Sequence, residues 1–367
     1  MFTKSIWNSF SGNTEFWALG KDIHVDVAII GGGITGITTA QLLSEAGLTV
    51  AVMESRKVGG GTTSHSTGNL YFTIDQTLSS LKSKYDAEVV QKVVESRSGA
   101  MELIAQNVDR FQIDCDFKRV PWYFYSSNEE NKKKIEKEYE TARDAGVRME
   151  IAGVDEIPVK SVHAVKVEQQ AQFNPMRYVQ ELASKIENQN CQIFEHTRVL
   201  EIDEVPDKVI IKTTGGTVTA NYVLHATHTP KGKRIAYHTV LGPYREYGVA
   251  AKLNTESIPE GIFWGYYNEG EKFSFRTYSR NGEKFLMAIG QPHKVGQAEN
   301  NEEKIKNLID FLKVNFDLGE ITHRWGGQHY RPADLLPYIG KKSKGSRIYL
   351  ATGFSTDGLT YGTLAAM

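Results

Sequence analysis

The stretch from Val25 to Glu54 constrains this chain most. Val25-Asp26-Val27-Ala28-Ile29-Ile30 is a short apolar run rich in β-branched residues, the pattern of a strand buried on both faces. It leads into Gly31-Gly32-Gly33-Ile34-Thr35-Gly36, which has the spacing G-x-G-x-x-G. Ile34 to Ala46 reads as a helix with Ile37, Ala40, Leu42 and Leu43 on one side and Gly47 as its stop. Leu48 to Met53 reads as a second buried strand, with Glu54 at its carboxyl end. The first glycine makes a tight turn, the second lets backbone N–H groups approach a pyrophosphate, and the third lets the helix pack close to the strand. The helix N-terminus adds partial positive charge. Glu54 lies roughly 20 residues past the glycines, where an acid accepts hydrogen bonds from a ribose. Glycine clusters alone also make ordinary turns; strand, helix, second strand and terminal acid together predict a dinucleotide site.

The remaining composition narrows the class. A chain of 367 residues can bury a large core and predicts two lobes. A net charge of −1 gives no electrostatic footprint for nucleic acid or an anionic membrane. The N-terminal arm scatters Trp7, Phe10, Phe16 and Trp17 among polar residues, with no apolar signal-peptide core. No run in the chain is long and apolar enough to cross a bilayer. Cys115 and Cys191 are far apart and lack C-x-x-C or Cys/His spacing, so no disulfide framework, zinc site, iron–sulfur cluster or other metal is expected. A reduced, cytoplasmic protein is the expectation.

Behind Glu54, the loop from Ser55 to Gly68 is dense in glycine and hydroxyls, rich in donors for an anionic or heteroaromatic ligand. Leu78 to Phe111 reads as one helix, Val120 to Tyr125 as a strand, and Asn131 to Asp144 and Pro175 to Glu187 as helices. An antiparallel meander is predicted over Cys191–Phe194, Thr197–Ile202, Val209–Thr213 and Thr217–Leu224, with Gly215-Gly216 as a hairpin turn. Aromatic- and arginine-rich strands follow from Tyr244 to Ile289, then an amphipathic helix from Glu302 to Phe316. An apolar helix opening at Thr363 reaches only Met367, which predicts that the natural chain continues.

These residues resemble the FAD-dependent oxidoreductases of the D-amino-acid oxidase type, which include glycine oxidase, sarcosine oxidase and dimethylglycine dehydrogenase. The resemblance spans nearly the whole chain: DVAIIGGGITG with Glu54, GTTSHSTGN at 61–69, FNPMRYVQEL at 173–182, VLHATHTP at 223–230, DLLPYIG at 334–340 and ATGFSTDGLTYGT at 351–363. It is nearest to the subgroup often fused to a C-terminal Rieske domain, whose Cys-x-His ligands this chain lacks. The implied fold is α/β: a Rossmann-like FAD-binding domain with a β-meander, plus an inserted substrate domain of antiparallel sheet and helices. Residues 1–80, 160–240 and 325–367 would form the first, and 81–159 and 241–324 the second.

The resemblance implies FAD as cofactor. Gly31, Gly33, Ile34, Thr35 and Gly36 would hold its pyrophosphate, and Glu54, with Ser55 and Arg56, the ribose. Gly61, Thr62, Thr63, Ser66 and Thr67 would line the ribityl chain and flavin edge; Val199, Ala226 and Thr227 would close the adenine side. Gly353, Ser355, Gly358, Leu359 and Thr360 would present N–H groups to the negative edge of reduced flavin. His65 stands where dimethylglycine dehydrogenase carries its covalently bound histidine, but Ser64 replaces the usual preceding tryptophan, so non-covalent FAD is expected with a His65 link as the alternative.

The implied reaction is hydride transfer from a C–N bond of a small amine or amino acid to flavin N5. Alternatives on the same fold are a hydroxy-acid or polyol dehydrogenase, and a non-catalytic flavoprotein acting as a partner or assembly factor. Tyr244, Arg276, Tyr278 and Gln328 are the leading candidates for the substrate wall, with Arg245, Tyr247, Arg280 and Arg331 beside them. An arginine there could hold a carboxylate bidentately, although strand alternation turns half of such residues outward. The electron acceptor is open, and a Rieske-type redox partner is implied.

Overall fold

The computed structural model describes residues 4–12, 14–230, 239–254, 258–267, 271–297 and 300–367. The predicted nucleus forms as a strand, Ile23–Ile30, a helix, Ile34–Glu45, and a second strand, Val50–Met53. The two strands pair in parallel, Val27 opposite Val50 and Ile30 opposite Met53. The strand Thr217–His225 pairs in parallel on the other side, placing Ile30 opposite His225. All four residues of Val50–Met53 are buried, which explains their unbroken apolar character. This sheet runs in the order Tyr338–Lys341, Ile348–Thr352, Thr217–His225, Ile23–Ile30, Val50–Met53, Cys191–Phe194, with the hairpin Val199–Glu204/Val209–Thr213 attached to Thr217–His225.

A second, largely antiparallel sheet faces the carboxyl ends of the first. Its order is Leu318–Pro332, Leu241–Leu253, Glu283–Lys294, Lys272–Arg280, Ile262–Tyr266, Lys118–Ser126, His163–Gln172, Asn69–Leu70. Helix Asn301–Asn315 packs Leu308 and Leu312 on its outer face. Helix Ile34–Glu45 packs against Pro175–Ile186 and Gly358–Ala366. The fold is the mixed α/β arrangement the resemblance implied. Among the described residues no helix is long and apolar enough to cross a membrane.

Three elements differ from the sequence reading. The helix expected over Leu78–Phe111 is two, Leu78–Lys82 and Ala87–Phe111, because Asp86 caps the second through Val89 N at 2.9 Å. Cys191–Phe194 belongs to no antiparallel meander; it runs parallel to Val50–Met53, since helix Pro175–Ile186 is the crossover that returns the chain in the same direction. His163–Gln172 is a strand of the second sheet, antiparallel to Lys118–Ser126, so this part of the 160–240 segment hydrogen-bonds within the second sheet and not the first.

Candidate active site

A cavity of about 1710 Å³ lies between the carboxyl ends of the first sheet and the inner face of the second. That is larger than a typical small-ligand pocket and suited to an extended ligand. One end is a backbone cradle. Gly31 has φ of +110°, and a Cβ there would stand 2.5 Å from the Ala226 carbonyl oxygen. A Cβ on Gly36 would meet the Gly31 carbonyl oxygen at 1.9 Å, so only glycine lets the helix start this close to the strand. No side chain caps helix Ile34–Glu45 at Gly33. Ile34 N donates to Thr63 Oγ1 at 3.2 Å, while Gly32 N and Arg56 N donate to the two oxygens of Glu54 at 2.9 and 2.8 Å. The remaining first-turn N–H groups face an anion site.

The glycine–hydroxyl loop folds as a short 3-10 turn, Thr62–His65, pinned from two directions. Trp7 of the N-terminal arm donates from Nε1 to the Ser66 carbonyl at 2.7 Å, and Trp325 of the second sheet donates to the His65 carbonyl at 3.1 Å. Gly68, with φ of +71°, leaves no room for a Cβ between the Phe173 carbonyl and Arg276. His65 Nδ1 lies 2.9 Å from the Gly61 carbonyl oxygen, which can only accept, so Nδ1 donates there and orients the ring. Opposite this loop, helix Gly358–Ala366 starts with no side-chain cap. Its N-cap Asp357 turns away to accept from Tyr71 Oη at 2.9 Å and Asp75 N at 3.0 Å and to pair with Arg97 at 3.3 Å. A second set of free helix N–H groups is thus left toward the cavity, which Gly358 and Leu359 line.

The other wall comes from two paired strands of the second sheet. Tyr244 faces His329, Glu246 faces Gly327 and Gly248 faces Trp325 across the register. Gly327 presents bare backbone, and a Cβ there would lie 3.5 Å from the His65 carbonyl oxygen. Behind this wall stands a knot of charge. Asp75 accepts from Ser355 Oγ at 3.1 Å and pairs with Arg331 at 3.3 Å and Lys272 at 3.8 Å; Lys272 also donates to the Asp75 carbonyl at 2.8 Å. Arg331 lies over the Tyr244 ring at 4.4 Å and reaches Glu246 at 4.0 Å. Burial would raise the Asp75 carboxyl, but Lys272 and Arg331 outweigh it and hold it below its ordinary value. Glu246 goes the other way: burial, reinforced by Asp75, pushes it up to about 8. Burial pushes the His329 imidazole down to about 4, leaving it neutral.

Most residues expected at the cofactor line this cavity: Gly31, Gly33, Ile34, Thr35, Glu54, Ser55, Arg56, Gly61, Thr62, Thr63, His65, Ser66, Thr67, Val199, Ala226, Thr227, Ser355, Gly358 and Leu359. Gly36, Gly353 and Thr360 lie beneath it: Gly36 sets the helix approach, Gly353 turns with φ of +77°, and Thr360 is buried in its helix. Of the substrate-wall candidates, Gln328 lines the cavity and Tyr244 stacks at its margin on His329, ring centroids 5.9 Å apart. Arg276 and Tyr278 lie elsewhere. Arg276 is buried behind Gly68 under the Trp7 ring and donates to the Phe173 carbonyl at 3.2 Å; burial lowers it to about 9. Tyr278 donates to Asp116 at 2.9 Å, and Arg280 pairs with Asp114 and Asp116. The N-terminal arm covers that part of the sheet, so the strand's aromatics and arginines are core there, not cavity wall. Asp75, Glu246, Lys272 and His329 were missed by the sequence reading. For Glu246 the signal was present: period-two alternation puts it on the face of Tyr244, and Arg245 and Tyr247 on the opposite one.

A parallel sheet with a glycine cradle, an acid at the next strand end and a second sheet closing a long cavity defines a dinucleotide-dependent oxidoreductase of mixed α/β type. The chain belongs to the family described as FAD dependent oxidoreductase (DAO), whose model matches residues 26–367. It is 29% identical, over 99% of its length and 71% of the relative's, to a Bacillus subtilis protein named putative Rieske 2Fe-2S iron-sulfur protein YhfW. It is 23% identical to the gamma-glutamylputrescine oxidoreductase of Escherichia coli, over 95% of this chain and 84% of that one. Among solved structures it superposes on glycine oxidase from Geobacillus kaustophilus with a TM-score of 0.74 at 19% identity, covering 94% of this chain and 92% of the other. The protein is an FAD-dependent oxidoreductase, as its motifs implied, and the cradle described above fits that cofactor.

Proposed function

We propose that this enzyme oxidises the C–N bond of a small amine or amino acid. When bound, FAD supplies the two-electron acceptor, with the hydride arriving at N5. Free N–H groups at Gly33 and Thr35 would hold the pyrophosphate, with Glu54 on the ribose and Thr62, Thr63, Ser66 and Thr67 along the ribityl chain. The N–H groups opening helix Gly358–Ala366 would face the flavin edge that gains negative charge on reduction. Tyr244, Gln328 and His329 would bound the substrate, and the two strands position it over the loop carrying His65.

One observation carries the substrate class. Glu246 stands on the wall opposite the cofactor loop, with Asp75, Arg331 and Lys272 packed behind it. A carboxyl on that wall matches a substrate with an ammonium group. It weighs against a phosphorylated polyol, because both cations are already engaged by Asp75. The relative named as a Rieske protein supports a one-electron acceptor of that type for the reduced flavin. The test is anaerobic mixing of the yellow holoenzyme with amines, amino acids and hydroxy acids. Bleaching of the visible flavin band by an amine or amino acid is expected; bleaching by hydroxy acids alone sinks the proposal. Acid precipitation should release the colour to the supernatant, and colour held in the pellet would instead support a His65 bond.

A further inference from the structure

Behind and beside the cavity the buried carboxylates have donors, while Glu246, half-buried on its wall, has none among the described residues. Asp357 is taken up by Tyr71, Asp75 N and Arg97, and Asp75 by Ser355, Arg331 and Lys272. Glu138 caps Leu78 N and Ser79 N at 2.8 Å, and Glu195 receives Val58 N at 2.7 Å. Glu246 has no hydrogen-bond donor among the described residues; its one charged neighbour within reach, Arg331, stands at 4.0 Å and already serves Asp75. Its carboxyl lines the cavity directly across the register from Gly327, the residue that packs on the cofactor loop at His65. A half-buried carboxyl has lost part of its hydration, and a donor bound in the cavity would replace it.

We propose that Glu246 receives the substrate's ammonium group and takes its proton. This rests on the reading of the enzyme as an oxidase or dehydrogenase of C–N bonds. An ammonium cannot release hydride, because its nitrogen has no lone pair to form the C=N bond. One N–H bond breaks, one O–H bond forms on Glu246, and no electrons move in that step. With FAD bound, the neutral amine could release its C–H hydride, two electrons with it, to that acceptor while the nitrogen lone pair closes the C=N bond of an iminium ion. Burial raises the proton affinity of Glu246 most, Asp75 adds to it, and Arg331 and Lys272 oppose that only in part. His329, neutral, contributes no competing cation. The resting value near 8 lies close to that of an amine in a shielded cavity, so the proton crosses with little free-energy change.

The test compares parent holoenzyme, Glu246→Gln and Glu246→Asp, using methylammonium as probe and acetate as control. Calorimetric titration between about pH 6 and about pH 9 should show methylammonium binding that tightens as Glu246 ionises. Glu246→Gln should weaken it by about tenfold and flatten its pH dependence, and Glu246→Asp should restore that dependence in part. Equal binding by parent and Glu246→Gln at every pH overturns the proposal, as does a parent that binds acetate but not methylammonium. With any amine that bleaches the flavin, Glu246→Gln should lower the reduction rate at saturation and remove its rise with pH. Methylammonium binding that depends on Glu246 in a protein no amine can reduce would uphold this site while sinking the C–N oxidation reading.

Discussion

At the nucleotide end of the cavity the ligand is met by backbone: Gly31, Gly33 and Gly36 clear the space, and N–H groups at a helix start face it. At the other end the wall is built of side chains from four separate segments, Glu246 and His329 on the cavity with Asp75, Lys272 and Arg331 behind them. A backbone cradle is made within one βαβ unit and tolerates little change, since any Cβ collides with main chain. The side-chain wall is assembled across about two hundred and fifty residues of sequence, and each member can change while the fold persists. The first end suits a constant cofactor, the second a substrate that differs between relatives.

Substitutions can break or sharpen that contrast. Gly36→Val should have the largest effect, because its Cβ would fall 1.9 Å from the Gly31 oxygen. We expect a destabilisation of about 3 kcal/mol or more and no bound flavin, read from the visible spectrum of whatever folds. Asp357→Ala should cost about 3 kcal/mol in denaturant unfolding, since it strands the fully buried Arg97 without its partner. Asp75→Asn tests the wall. Flavin content should stay at the parent level, while reduction by an amine slows by about tenfold, or 1.4 kcal/mol. Glu54→Gln should weaken FAD retention by about fivefold, or 1 kcal/mol, because an amide still accepts part of the same hydrogen bonds.

The smallest expected effect is a pH trend in melting temperature. Glu246 stands at about 8 in the folded protein against an ordinary 4.5, so the folded state holds this proton more tightly than the unfolded chain. Its contribution is fully present below pH 4.5 and lost as pH rises through about 8. Glu246→Gln keeps a neutral group throughout, so its melting temperature should gain on the parent's across that window. Parallel curves would show that the carboxyl is not held protonated.

The difference between the two ends also governs how much the amino-acid order reveals. Gly31 to Glu54 is legible because strand, turn, helix and acid follow one another with fixed spacing, and each chemical job is done by a neighbour in sequence. The loop from Gly61 to Thr67 and the segment from Gly353 to Leu359 are legible through resemblance, as their residues have no common local signature. The substrate wall is not legible in the same way. Asp75 stands in an unremarked turn, and its importance comes from Lys272 and Arg331, which reach it only after the second sheet forms. Arg276 and Tyr278 mislead for the complementary reason: their strand has the right chemistry, but Trp7 and Phe10 of the arm cover it. The direction of Cys191–Phe194 was equally hidden, because a parallel strand and a hairpin strand of four residues share one apolar pattern.

The two indoles that pin the cofactor loop bear on how the protein is made. Trp7 precedes most of its seat by a long stretch of chain, since it packs in one cluster with Met176, Tyr278, Phe285, Met287 and Trp325. The arm therefore waits, its aromatics unburied, until Trp325 has been synthesised. The loop waits with it, since its second anchor, Trp325, lies 260 residues further on than His65. On this geometry closure of the loop over the flavin follows synthesis of Trp325, and a nascent chain stalled before it would display a glycine cradle with no clasp to close over it.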